Sequence, residues 1–158
     1  KNLCTTNERC TVTELNHKID ALLAAFISHN INDLSSRVNK RNQMAKKYVN
    51  GLKKIVRCPT IADVKRSSFF DFTIFTPRRN KLYHFLLSKG IEVKIRHPIL
   101  MNDQKPFKKC KVKKINQSRN LISKIIQLPI HDNLTPWEIN YVIKNIKLFF
   151  KLKTIGRI

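Results

Sequence analysis

Between Asn16 and Leu52 the chain reads NHKIDALLAAFISHNINDLSSRVNKRNQMAKKYVNGL, with no Pro and no Gly before Gly51. Apolar side chains recur at Ile19, Leu22, Leu23, Phe26, Ile31, Leu34, Val38, Ala45, Tyr48, Val49 and Leu52. Steps of three and four residues place them on one face of a helix. Unbroken, that helix would reach about 55 Å. The polar patch SHNINDLSS in its middle is where a kink is expected, and Cys58-Pro59 ends it, since the residue before Pro is pushed out of the α region.

The period then changes. Ser67 to Phe75, SSFFDFTIF, alternates with Phe70, Phe72 and Ile74 on one side, which predicts a strand. Thr76-Pro77 opens a helix, with Thr as N-cap and Pro at the first helical position; Leu82, Phe85 and Leu86 form its buried stripe and Gly90 closes it. Ile91 to Arg96 alternates again. Pro98 to Asn116 reads as loop, Gln117 to Ile126 as a short helix, and Leu128-Pro129-Ile130 as an extended insert. Thr135-Pro136-Trp137-Glu138 is a capping box that starts a last helix, whose apolar face is Ile139, Val142, Ile143, Ile146, Phe149 and Phe150. The pattern predicts an α+β fold.

Composition adds bounds. A chain of 158 residues with 42% hydrophobic content, 3 Gly and 6 Pro reads as one folded domain. Thirty-two Lys and Arg against ten Asp and Glu leave +22, the footprint of a nucleic-acid or anionic-surface binder. The excess is spread along the chain, and only Lys108 to Lys114, KKCKVKK, is dense enough to be a patch. A solvated basic surface is the reading, with non-specific nucleic acid as an open partner. Cys4, Cys10, Cys58 and Cys110 match no zinc spacing and read as free thiols. With no apolar run of membrane length and no secretory signal, the expected location is cytoplasmic. A Gly-rich phosphate loop, a G-x-S-x-G elbow and an H-E-x-x-H pair are all absent, and the five His are scattered.

Four stretches together resemble the C-terminal part of the DegT/DnrJ/EryC1/StrS family. NHKIDALLAAF is similar to the family's N-y-R-m-t-E-l-q-A-A, and its register runs on through Leu34, Arg41 and Tyr48, the R-x6-Y of the long helix. RRNKLYHFLLSKGIEVKIRHP resembles the R-d-x-L-x-x-x-L-x-x-x-G-I segment before a Y-P turn, with His97 for the Tyr. HPILMNDQKPF tracks the Y-P-x-P-l-H-x-q-p-a-y loop, with Leu100 for the Pro and Asn102 for the His. LPIHDNLTPWEINYVIKNIKLF is similar to the terminal L-P-x-H-x-x-L-t-x-e-E-i-x-x-V-i, the most specific match.

The resemblance implies the small C-terminal domain of a pyridoxal-phosphate (PLP) aminotransferase of the aspartate-aminotransferase fold: a long connecting helix and a small antiparallel sheet covered by helices. Residues 1–15 then stand for the lysine segment of the large domain, 16–55 for the connecting helix and 56–158 for the small domain. KNLCTTNERCTVT puts Lys1 at the Schiff-base position, although Thr6-Asn7-Glu8-Arg9 replaces the usual Gly-Glu-Gly-Gly turn. Asn16 stands where the family's Asn reaches the PLP phosphate of a neighbouring subunit. Lys18 and Asn102 stand on the substrate side, Lys18 keeping the charge of the usual Arg without its bidentate fork. The implied substrates are a nucleotide-linked keto-sugar and glutamate, in amino-sugar biosynthesis. The implied partners are a homodimer mate or a separately encoded large domain. Everything ahead of the lysine is lacking, so a truncated or split enzyme, inactive alone, is expected. The competing readings are a basic binding module and a subunit that completes another chain's active site.

Overall fold

The computed structural model describes residues 19–64, 66–107, 109–110 and 115–154. The long helical stretch is two helices. In α1 (Ala21–Asn30) the Asp20 carboxylate caps the start, accepting from the Leu23 amide at 2.8 Å. A 3-10 turn at Ile31–Asp33 follows, and then α2 (Leu34–Leu52). The junction falls inside SHNINDLSS, where the Asn30 side chain donates to the Phe26 carbonyl oxygen at 2.8 Å and competes with the backbone ladder. The two helices share one periodicity but not one environment. The second half of α2 buries Met44, Ala45, Tyr48, Val49 and Leu52, whereas α1 buries nothing.

After α2, the single turn α3 (Ile61–Val64) leads to β1 (Phe72–Phe75), α4 (Arg79–Ser88), α5 (Asn116–Ile122), β2 (Ile125–Leu128) and α6 (Pro136–Thr154). β1 and β2 pair antiparallel, Phe72 opposite Leu128 and Phe75 opposite Ile125. Isolated bridges lengthen the sheet on both sides, Arg57 to Phe75 and Lys94 to Gln127. The architecture is the mixed helix and small antiparallel sheet that the pattern and the resemblance implied.

Several local expectations are corrected. The strand expected over Ser67 to Phe75 is only its last four residues, because Phe69 adopts a left-handed φ of 43°. That shifts the phase of the alternation: Phe69, not Phe70, turns into the core, and Phe70 is left 69% exposed. The helix expected at Thr76-Pro77 begins at Arg79, and the Thr76 hydroxyl instead accepts from the Arg78 amide, closing a turn ahead of it. Ile91 to Arg96 alternates as expected, with Ile91 and Val93 buried, yet it joins the sheet through an isolated bridge at Lys94 and not as a full strand. The expected helix to Ile126 stops at Ile122, and Ile125 to Leu128 becomes β2. Its Ile-Ile-Gln-Leu run is too short for periodicity to distinguish strand from helix.

The capping box at α6 is present in both directions. The Thr135 amide donates to Glu138 Oε2 at 2.7 Å, and the Glu138 amide donates to Thr135 Oγ1 at 3.2 Å. These bonds hold the Glu138 carboxyl below its usual range. Gly90, at φ 71°, ends α4 in a Schellman motif, with Gly90 N–H on the Leu87 carbonyl and Ile91 N–H on the Leu86 carbonyl.

α2 and α4 both pack on α6, and the core lies between these helices and the inner face of the sheet, where Tyr48, Phe72, Ile74, Leu82, Leu86, Ile126, Ile146 and Phe149 are fully enclosed. Each large side chain enclosed this way contributes roughly 2 kcal/mol. α2 and α6 meet at Gly51, where a Cβ would stand 2.8 Å from Ile143 Cγ2. Here glycine serves close helix approach, not helix termination.

Candidate functional site

Lys1, Asn16 and Lys18 lie outside the described residues, as do most of the lysines of the Lys108 to Lys114 patch. Asn102 is described. It sits half-buried in the 3-10 turn Met101–Asp103, and its Nδ2 donates to Asp103 Oδ1 at 3.1 Å. Asp103 in turn accepts from both terminal guanidinium nitrogens of Arg119 on α5, at 2.6 and 2.7 Å. Asn102 thus belongs to a clasp that pins its turn to α5 through a bidentate pair, the geometry arginine is built for.

The middle of α2 meets the loop after β2 in a second constellation. Arg37 and Arg41 both reach the Asp132 carboxylate, Arg37 Nε by a short hydrogen bond and Arg41 Nε in ion-pair contact at 3.3 Å. Two helical turns beyond Arg41, the Tyr48 hydroxyl donates to the Pro129 carbonyl oxygen. The Arg37 hydrogen bond is the main cause that holds the Asp132 carboxyl below its ordinary range. Burial raises the Tyr48 phenol. The R-x6-Y of the helix and the L-P-x-H-D of the loop, two separate stretches of the family-like register, are therefore two halves of one clamp. The register was legible in the sequence. Its pairing was not, since nothing local links Arg41 to Asp132 across ninety residues.

Two adjoining cavities flank this clamp and share Phe70, Ile130 and His131. The smaller, about 260 Å³, is lined by Arg37, Arg41, Asp132 and Asn133. The larger, about 680 Å³, lies over Ile91, Leu128, Leu134 and Val142 and is rimmed by Phe70 and Trp137. Phe70 carries the Arg96 guanidinium 5.2 Å above its ring, and Arg96 Nε is fixed by Asp71 at 3.0 Å. Trp137 stacks on Tyr141 at 5.4 Å. The alternation put Phe70 on one side with Phe72 and Ile74, and with Phe69 at a left-handed φ it is exposed while they are buried. A third cavity, about 460 Å³, lies beside Cys58, whose half-buried thiol is raised by burial and thereby kept in its unreactive form.

Among the described residues no cluster of three His, Cys, Asp or Glu could hold a metal ion, and no helix is long and apolar enough to cross a membrane.

The two-part helix and the small helix-covered antiparallel sheet define a domain of the kind found in aminotransferases. The chain belongs to the DegT/DnrJ/EryC1/StrS aminotransferase family, whose model matches residues 4–147. It is 23% identical over 136 residues to dTDP-3-amino-3,6-dideoxy-alpha-D-galactopyranose transaminase from Aneurinibacillus thermoaerophilus, covering 85% of this chain and 38% of that protein. Its structure resembles a DegT DnrJ EryC1 StrS aminotransferase from Brucella abortus, with TM-score 0.78 and 25% identity over 84% of this chain and 36% of that one. The fold is shared with NtdA from Bacillus subtilis, solved with bound cofactor PMP, at TM-score 0.74 and 21% identity, covering 93% of this chain and 36% of that one. The chain thus spans under two-fifths of the length of these relatives.

Proposed function

We propose that this chain supplies the connecting helix and small domain of a PLP-dependent aminotransferase that acts on nucleotide-linked keto-sugars, with glutamate as amino donor. The family match over residues 4–147 carries the reading. In this reading residues 1–15 are the lysine segment, 16–55 the connecting helix and 56–158 the small domain. Lys1 stands at the Schiff-base position, Asn16 at the cofactor phosphate, and Lys18 and Asn102 on the sugar-nucleotide side.

The described residues do not by themselves fit the cofactor. A bound pyridoxal phosphate supplies an electron sink for carbanion chemistry, and it works inside an enclosed, oriented site. The helix that follows Asn16 and Lys18 has no buried residue on any face, so the described part of this chain puts no wall around that end. Walls, a partner for the pyridinium nitrogen and further phosphate donors come, in this reading, from a large domain. An amide at Asn16 suits the phosphate, because it donates hydrogen bonds without adding fixed charge. One of the two side-chain amide protons of Asn102 is already given to Asp103.

The test is complementation. The purified chain is mixed with pyridoxal phosphate and an amino donor, alone and with a large-domain polypeptide from a family member. Visible cofactor absorbance and sugar amination are expected only in the mixture, and Asn16→Ala should lower cofactor affinity there. Turnover by the chain alone, with a borohydride-trapped adduct at Lys1, would overturn the expectation of dependence. A well-formed complex that aminates no nucleotide-sugar would overturn the assignment of substrate class.

A further inference from the structure

The cavity rimmed by Phe70 and Trp137 lies within the described part of the chain, and none of the residues given a catalytic role above lines it. We infer that it is a binding site for an uncharged, flat aromatic ring compound of about two fused rings. At about 680 Å³ it lies within the range of small-molecule sites.

Its two exposed rings are each held in place. Phe70 is turned outward by the left-handed backbone of Phe69, a conformation that costs a bulky residue energy and persists only where the surroundings enforce it. The enforcement is visible. Phe69 is buried against Phe72, its amide donates to Ser67 Oγ at 3.1 Å, and Arg96 lies over the outer ring. Across the cavity, Trp137 is 69% exposed and backed by Tyr141, which is itself anchored by its hydroxyl donating to the Lys89 carbonyl oxygen. Two pre-set aromatic surfaces above an aliphatic floor favour a ring that stacks, and little side-chain entropy is lost when it does.

The charges decide against an ionic ligand. On a chain of +22, this lining carries two cations, Lys94 and Arg96, and three carboxylates, Asp71, Glu92 and Glu138. Arg96 pairs with Asp71 at 3.0 Å, Lys94 pairs with Glu92 at 3.3 Å, and Glu138 is held by the helix cap. The positive field that would recruit phosphate elsewhere is cancelled here, and no carboxylate stands open for an ammonium. The Tyr141 hydroxyl is spent on the Lys89 carbonyl and the Gln127 side-chain oxygen on the Arg96 amide, which disfavours a sugar. Sugars need several free donors and acceptors beside the aromatic platform.

The chain has one tryptophan, Trp137, so its emission reports this cavity alone. The full chain is titrated with N-phenyl-1-naphthylamine, an uncharged fluorescent ring compound. Saturable quenching of Trp137 with matching sensitised probe emission is expected, half-complete at tens of micromolar. Phe70→Ala removes an exposed ring and leaves the core intact, and it should weaken binding about fivefold. Leu22→Ser with Phe26→Ser, on the apolar face of α1, should leave the quenching unchanged. In the unaltered protein, amide NMR signals of Gly90 and the Trp137 indole should shift together while those of α1 stay fixed. The proposal falls if Phe70→Ala binds as well as the parent or if the α1 changes abolish the quenching. It also falls if methyl glucoside or adenosine monophosphate displaces the probe, or if Trp137 emission changes on dilution alone, which would make a second copy the occupant.

Discussion

The hydroxyl of Tyr48 donates to the carbonyl oxygen of Pro129 at 2.9 Å, joining the buried face of α2 to the loop after β2. Proline has no amide hydrogen, so this loop has fewer backbone bonds of its own, and the phenol supplies one from outside. Tyr48→Phe keeps the ring in contact with Phe72 and leaves a part-buried carbonyl without its donor. The expected loss is about 1 to 2 kcal/mol, read as a lower midpoint in a urea titration with an unchanged slope.

Asp132 ties the same loop to Arg37 and Arg41, and those bonds lower its pKa. A group whose pKa is lower folded than unfolded stabilises the fold above its unfolded value, near 4 for Asp, and loses that contribution as the pH falls through the folded value. Thermal melts between pH 6 and pH 2.5 should show the parent losing stability below about pH 4 more steeply than Asp132→Asn. Parallel curves would mean that the clamp contributes nothing. The Arg37 side chain is about half exposed, so added salt should shrink the difference.

α1 exposes Leu22 at 83% and Phe26 at 67%, with Ile19, Leu23 and Ile27 beside them. A contiguous apolar face of this kind drives association when nothing covers it. Light scattering of the purified chain should show mass rising with concentration, and Leu22→Ser with Phe26→Ser should shift it toward the single-chain value. Melting temperature should barely move, because neither side chain supports the core. A parent chain that stays at single-chain mass would show that the face is not adhesive.

What could be read from the residues divides along a physical line. The capping box at Thr135, the closing Gly90 and the apolar face of α6 rest on local chemistry within a few residues, and they appear as expected. The long helical period also appeared, with its interruption in the polar patch. Periodicity could not tell which half of that stripe faces a core, because Leu22 and Leu52 are alike in sequence and differ only in what lies opposite. β2 was missed because four residues between a helix and a proline carry too little pattern. The exposure of Phe70 was misread because one residue with positive φ inverts an alternation, and Phe is a poor advertisement for such a turn. Of the site, the family-like register named Arg41 and Tyr48. Their partnership with Asp132 and Pro129 belongs to tertiary structure alone, and Lys1, Asn16 and Lys18 lie beyond the described residues.

Every anchor described on the long helical stretch, whether core side chain, ion pair or phenol, falls beyond the 3-10 turn at Ile31–Asp33. α1 is therefore a handle set on the folded body, and its ten residues answer to whatever they grip more than to the stability of what they are attached to. Substitutions there would pass unnoticed by folding and be felt at once by recognition. Across relatives, the apolar residues of α1 should change in step with the surface they meet, whereas those from Met44 onward should change in step with α6.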